Sequence, residues 1–452
     1  MRNFSLVGIL ACLTASVFAE DASLSSAILQ PSDGDTVVFV GDSITHQALY
    51  TQYLENFFYT RYPEREITFH NAGVAGDKAT DVLARFDQDI AEVDPDYVTI
   101  LLGMNDGQYE PFSAETLQTY REGIRQLVEK VRDAGGVPIA LSPTMFDHHQ
   151  QRLRKDDETY RFREKTFDPA YNNLLAYFSA WLREESSLQQ MSFVDLWSPL
   201  NELTFAKRRH DPDFTLIEDA IHPGAAGHFL LAYTILTASE QERPFVSDIR
   251  ISRTAEEWIA KTEGQLTELN VSDSKDNVSF QFLARSIPWR VPEKMSSKPL
   301  RWGPSAPATL GYELTGAGKT LNRETLRIEG LAPGIYELQI DGTKIDSFTD
   351  RQLDSGVELQ DYHHSPQNEQ ALQVALLNRD RTDDVVRPMR EKWSRIKGAR
   401  KRGNLQELAG ITTVIDQALP FRETAREIEV DARALATPVV RRYQLSRISS
   451  AD

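Results

Sequence analysis

The strongest constraint on this chain is the alternation, over its first half, of short apolar runs with stretches of helical periodicity. Val37 to Val40 is the first such run. An apolar run rich in β-branched residues, without polar alternation, makes a short buried strand. It stops at Gly41-Asp42-Ser43, and His46 to Tyr62 follows with Leu49, Tyr53, Leu54, Phe57 and Phe58 at helical spacing before Pro63 closes it. Ile67-Thr68-Phe69 reads as a second strand leading into the turn-rich stretch Asn71 to Gly76, and Asp77 opens a helix with Val82, Leu83 and Phe86 on one face. Tyr97 to Leu102 is a third strand, broken at Gly103-Met104-Asn105-Asp106. Ser113-Ala114-Glu115-Thr116 starts a long amphipathic helix that ends near Gly135-Gly136, and Val137 to Leu141 is a fourth strand. A polar, charged stretch to about Glu164, a helix through Trp181, a short strand at Phe193-Val194 and a helix from Gly224 to Thr237 complete the pattern. Strands alternating with helices in this way predict a parallel sheet covered on both faces.

At 452 residues the chain is too long for one ordinary domain. Its 40% hydrophobic and 26% charged content is that of a globular protein. A formal net charge of −17 argues against general affinity for nucleic acid or anionic membranes. Residues 1–19 read as a secretory signal, with Arg2 at its start, an apolar run from Leu6 to Phe18, and cleavage after Ala19. That run is too short for a membrane span, so a secreted or periplasmic protein without stable membrane insertion is expected. A lipid anchor at Cys12, the only cysteine, is the lesser alternative. Cleavage after Ala19 leaves neither a disulfide nor a thiol nucleophile.

From about Val246 the texture changes. Ser279 to Leu283, Thr325 to Ile328 and Ile335 to Ile340 are strand-like, and Asp341-Gly342 follows the last as a hairpin turn. These predict an antiparallel, sandwich-type module over 246–366, with Trp289 and Trp302 in its neighbourhood and a loop-rich segment marked by Pro288, Pro292, Pro304 and Pro307. From Gln367 the pattern returns to helix, and Val439 to Leu445 has the composition of a final strand rejoining the sandwich. The expected division is thus a leader (1–19), an α/β domain (20–245), a β-rich accessory region (246–366) and a mostly helical C-terminal segment (367–452). Arg379 to Arg402 is conspicuously basic; docking of an anionic polysaccharide and a solvated helix face paired with carboxylates both account for such a run.

Loops that follow different strands of a parallel sheet converge on one edge. Such loops, with the last loop before a helix, are expected to let a hydroxyl (Ser43), a glycine-rich turn (Asn71 to Gly76), an asparagine amide (Asn105) and an Asp/His pair (Asp219, His222) meet. A nucleophile, a base, a group to orient the base and donors for an oxyanion are what acyl transfer needs. Four blocks in this order, Gly41-Asp42-Ser43, Asn71-x-Gly73-x-x-Gly76, Gly103-x-Asn105-Asp106 and Asp219-x-x-His222-Pro223, resemble those of the SGNH (GDSL) hydrolases. The resemblance covers about Thr36 to Ser239. It departs from the family at Ile44-Thr45, where leucine is usual, and at Ala220, where glycine is frequent.

That resemblance implies a flavodoxin-like three-layer α/β/α fold and a serine esterase or lipase. Ser43 is then the nucleophile, His222 the base and Asp219 its orienting group, with the Ser43 and Gly76 amides and the Asn105 side chain as oxyanion donors. Asp42 and Asp106 read as loop-bracing groups beside the pocket, and Thr144, Phe146 and His148 as candidates to shape it. No cofactor is required. Asp147-His148-His149 lacks recognisable zinc spacing, so no metal is expected. The accessory sandwich suggests deacetylation of a carbohydrate. A lipase or lysophospholipase, a non-catalytic carbohydrate-binding protein and an O-acyltransferase are the alternatives, and the sequence leaves the oligomeric state open.

Overall fold

The computed structural model describes residues 28–449 apart from 240, 301–306, 405, 407–409 and 411–418. The expected leader, Cys12, Trp302 and Pro304 lie outside the described residues. The first half alternates as expected: β1 (Thr36–Gly41), α1 (Ser43–His46), α2 (Leu49–Arg61), β2 (Thr68–Gly73), α3 (Ala79–Leu83), α4 (Phe86–Asp89), β3 (Tyr97–Leu101), α5 (Ala114–Asp133), β4 (Val137–Leu141), α6 (His148–Leu153), α7 (Tyr171–Leu188), β5 (Ser192–Val194), α8 (Trp197–Arg208) and α9 (Ala225–Ala238). The five strands form one parallel sheet in the order β2-β1-β3-β4-β5, the flavodoxin-like order with its switch point beside β1.

Local differences from the expected pattern have local causes. The helix expected from His46 breaks at Ala48, which takes a left-handed φ of 53° and separates α1 from α2. The second strand runs on through Asn71-Ala72-Gly73, because β1 pairs with it residue by residue from Thr36↔Thr68 to Gly41↔Gly73. Gly73 is required there: a Cβ would lie 2.4 Å from the His46 amide nitrogen, where α1 crosses the strand end.

The second half contains β6 (Phe245–Arg253), β7 (Trp258–Thr262), β8 (Gln265–Val271), β9 (Asn277–Leu283), α10 (Ala308–Thr315), α11 (Ala317–Thr320), β10 (Arg323–Ile328), β11 (Ile335–Ile340), β12 (Thr343–Thr349), α12 (Asp350–Ser355) and β13 (Val357–Glu358). It closes with α13 (Pro366–Arg381), a π-helical turn at Thr382–Val386, α14 (Arg387–Arg402), α15 (Leu419–Ala436) and β14 (Arg441–Ser449). Two sheets, β13-β10-β6-β7 and β12-β11-β14-β9-β8, face each other across a core of Ile249, Ile251, Leu326 and Ile328 from one and Phe280, Tyr336, Leu338 and Leu445 from the other. The final strand does rejoin the sandwich, and centrally, between β9 and β11. The module is not purely antiparallel, however, since β10 runs parallel to β6.

Two expectations are corrected by packing. Trp289 belongs to the α/β domain rather than to the sandwich: its indole N–H donates to the Tyr53 carbonyl at 3.1 Å, and its ring lies 4.8 Å from Phe229 and 5.4 Å from Phe57. The basic run is paired, and at its key positions the pairs are buried rather than solvated. Arg381 is fully buried between Glu55 of α2 and Glu429 of α15, and Arg390 is fully buried against Asp89 of α4. Helices α13 and α15 also add Ala371, Val374, Ala432 and Ala436 to the apolar layer over α2. The chain therefore leaves the α/β domain for the sandwich, returns to cover it, and ends in the sandwich.

Glu324 of β10 lies at this junction, buried, with one oxygen accepting from Gln367 of α13 at 2.7 Å and the other without a partner among the described residues. Burial pushes its carboxyl up to about 7, against the smaller opposing effect of the Gln367 bond. A carboxyl raised from 4.5 holds its proton more tightly in the folded chain. The stability it carries is therefore complete below pH 4.5 and is lost as pH rises through about 7, by roughly 3 kcal/mol at most. Glu324→Gln is expected to remove that part of the decline, so that the variant is the more stable at pH 8 and equal at pH 4. Urea denaturation at the two pH values measures it, and parallel pH profiles would exclude it.

Candidate functional site

Ser43 is the first residue of α1, directly beyond the carboxyl end of β1, and its N–H is one of the first-turn amides that a helix leaves unpaired. Its Oγ lies 2.8 Å from His222 Nε2, across 179 residues of sequence. His222 Nδ1 lies 2.8 Å from Asp219 Oδ2, while Asp219 Oδ1 accepts the backbone N–H groups of His222 (2.7 Å) and Ile221 (3.0 Å). All three side chains are largely buried. Burial raises the Asp219 carboxyl, but the His222 hydrogen bond and charge and the two amides outweigh it and leave it below the ordinary value. The loop that makes this possible holds Ala220 at a φ of 75°, where the resembled family often has glycine.

The glycine-rich turn reaches the same cleft. Asp77 N–H donates to the Val74 carbonyl at 3.1 Å, and Gly76 at φ 73° occupies the third position of that turn, which a side chain disfavours. Among the described residues no acceptor takes the Gly76 N–H. Asn105 lines the cleft as well, with its orientation fixed twice: Nδ2 donates to Asp42 Oδ2 at 2.9 Å, and Oδ1 accepts from the Tyr109 hydroxyl at 3.2 Å. An amide nitrogen carries two protons, so one is committed to Asp42 and the second remains.

The carboxylates below the floor brace these loops. Asp42 Oδ1 accepts the Ile44 N–H at 2.9 Å; burial, with the nearby Asp106 and Asp77 charges, pushes its carboxyl up to about 7 despite that bond. Asp106 accepts from Ala79 N (2.9 Å) and Gly103 N (3.0 Å), and burial pushes it up to about 6. Asn71 ties β2 to α1, donating to the Thr45 carbonyl at 2.8 Å and accepting the Gly73 N–H at 2.9 Å.

Ser43, Gly76, Asn105 and His222 thus share one cleft of about 600 Å³. The other suggested pocket residues do not line it. Asp42 lies beneath it, and Asp106 faces a separate hollow beside Lys78 and Glu115. Thr144 is fully buried; Phe146 is buried behind the wall against Phe167 and Tyr171; His148 starts α6 and bonds Gln151. The walls come instead from the polar stretch before α7 and the loop after β3: Tyr109, Glu110, Arg161, Phe162, Lys165 and Phe167. Phe162 lies nearly parallel to the His222 ring at 6.4 Å. Composition hid these wall residues, because an aromatic within a charged stretch carries no periodic signal. Among the described residues no three His, Cys, Asp or Glu side chains are placed to hold a metal ion.

A parallel α/β sheet whose carboxyl edge presents a serine, a histidine bonded to it and a carboxylate bonded to the histidine defines a hydrolase of the acyl-transfer class. Residues 39–230 match the model of the GDSL-like Lipase/Acylhydrolase family. An acetylxylan esterase of Geobacillus stearothermophilus is 28% identical over 225 residues, which span 45% of this chain and 93% of that protein. A solved structure described as a gut microbial diltiazem-metabolizing enzyme shares the fold over 94% of this chain and all of its own, with a TM-score of 0.79 at 23% identity. A fold of this extent, over 94% of the chain, therefore occurs in a solved structure. The family and relative matches identify an ester-hydrolysing enzyme.

Proposed function

We propose that the protein is an exported serine esterase that removes O-acetyl groups from carbohydrate, through Ser43, His222 and Asp219. Ser43 Oγ attacks the ester carbonyl as His222 Nε2 takes its proton, and Asp219 stabilises the resulting imidazolium. The oxyanion is held by the Ser43 and Gly76 amides and the remaining Asn105 Nδ2 proton. His222 returns its proton to the departing alcohol, then activates water, which releases acetate and restores Ser43. The observation that carries this reading is the continuous bond path from Asp219 through His222 to Ser43, with 2.8 Å at each step.

The acetyl-carbohydrate assignment draws on the acetylxylan esterase relative and on the charged cleft walls. A long acyl chain needs an apolar channel, whereas Glu110, Arg161 and Lys165 border this cleft. Export draws on the leader read from the sequence. Acetate release from acetylated xylan oligosaccharides, with Ser43→Ala as control, tests the reading. Faster cleavage of p-nitrophenyl palmitate than of the acetate would favour a lipase, and acetate appearing only on an added sugar acceptor would favour an acyltransferase.

Asn105→Ala is expected to lower kcat by about 10² to 10³, the usual cost of one oxyanion donor. It also frees Asp42, so kcat and thermal stability are to be read together. An unchanged kcat in a folded variant would remove Asn105 from the oxyanion site.

A further inference from the structure

The turn that presents Gly76 is built on α14, from more than 300 residues away in sequence. Val74, fully buried, sits in an apolar cluster with Met389, Trp393 and Ile396. Lys397, one turn further along the same helix, directs Nζ to the Ala75 carbonyl at 3.0 Å and forms ion pairs with Asp77 (2.8 Å) and Asp81 (3.4 Å). From the other side the Ala75 N–H donates to His46 Nδ1 at 3.3 Å, and His46 Nε2 lies 3.3 Å from Glu391 Oε1, again on α14. An Nδ1 that accepts leaves the proton on Nε2, facing Glu391.

The Ala75 carbonyl and the Gly76 N–H belong to one planar peptide group. A cation on its oxygen draws electron density from the amide and makes the N–H at its other end a stronger donor. We propose that Lys397 is a positioning residue for the oxyanion site, which both fixes the Ala75–Gly76 peptide and strengthens the Gly76 N–H as charge develops on the substrate oxygen. Glu391, through His46, holds the preceding amide. The C-terminal helix is in this way part of the catalytic apparatus, although none of its residues lines the cleft. The inference rests on the esterase mechanism proposed above.

The test uses the full-length protein and p-nitrophenyl acetate. Lys397→Met is expected to lower kcat about tenfold, less than outright loss of a donor, with KM within twofold of wild type. Lys397→Arg, which keeps a cation, is expected to recover most of the loss. Lys401→Met removes an ion pair to Asp81 from the same helix without reaching Ala75, and is expected to keep wild-type kcat. A wild-type kcat in Lys397→Met, an equal loss in Lys401→Met, or no recovery in Lys397→Arg would overturn the proposal. If Lys397→Met does not fold, Glu391→Ala at the half-exposed end of the clamp is read instead: a loss of about threefold in kcat supports the proposal, and an unchanged kcat overturns it. Labelling of wild-type Ser43 by a fluorophosphonate separates the two levels. Its failure would overturn the mechanism beneath, while labelling with an indifferent Lys397→Met would overturn this inference alone.

Discussion

Ser43→Ala is expected to lower ester hydrolysis by about 10⁴-fold or more while leaving the protein folded. In serine hydrolases, losing the nucleophile costs about as much as losing the whole triad, and what remains comes from binding and the oxyanion donors. The structural cost here is small: among the described residues the Oγ bonds only His222, and the β1–α1 turn is held by Asp42 and Asn71 rather than by the Ser43 side chain. The measurement is kcat on p-nitrophenyl acetate beside a thermal melt. Activity retained in a variant with a wild-type melt would mean that another group attacks the ester.

Arg390→Met is expected to destabilise the protein by about 3–5 kcal/mol, the usual penalty for breaking a buried ion pair from one side. Both guanidinium Nη atoms of Arg390 donate to Asp89, at 2.8 and 2.9 Å, and neither residue is exposed. Burial alone would raise the Asp89 carboxyl; Arg390 first, then His70 and Arg85, hold it well below the ordinary value. Removing Arg390 leaves a buried carboxylate short of a partner at the seam where α14 meets α4. Denaturant unfolding gives the figure, and a loss under 1 kcal/mol would show that α14 is merely laid on the surface. The same seam bears on truncation. A chain ending near residue 245 loses Ala371, Val374, Ala432 and Ala436 from the layer over α2, and it also loses Arg381, which leaves the buried Glu55 without that ion pair, so dissecting the function of the second half calls for point variants of the whole chain.

Much of the site was legible because its parts are local. A buried parallel strand is a short apolar run that must end at the sheet edge, beside the cleft; Gly41-Asp42-Ser43 and Gly103-Met104-Asn105-Asp106 carry this information in a few positions each, with Ser43 and Asn105 reaching the cleft itself. The wall residues were not legible. Phe162 and Tyr109 sit in stretches whose composition is that of any exposed loop, and only the fold lays them beside His222 and Asn105.

By itself the sequence determined the parallel α/β half, the order of its elements, the convergence of Ser43, Gly76, Asn105 and His222, and the return of the last strand to a second, β-rich unit. Each follows from periodicity and from turn residues, which act over one element or one connection. The tertiary structure alone decided what the basic run does. Ten Arg and Lys side chains between Arg379 and Arg402 read as a solvated surface wherever charge is counted without partners. Their partners, Glu55, Asp77 and Asp89, lie more than 300 positions away, and burial against them turns a solubility feature into the support of the Gly76 turn.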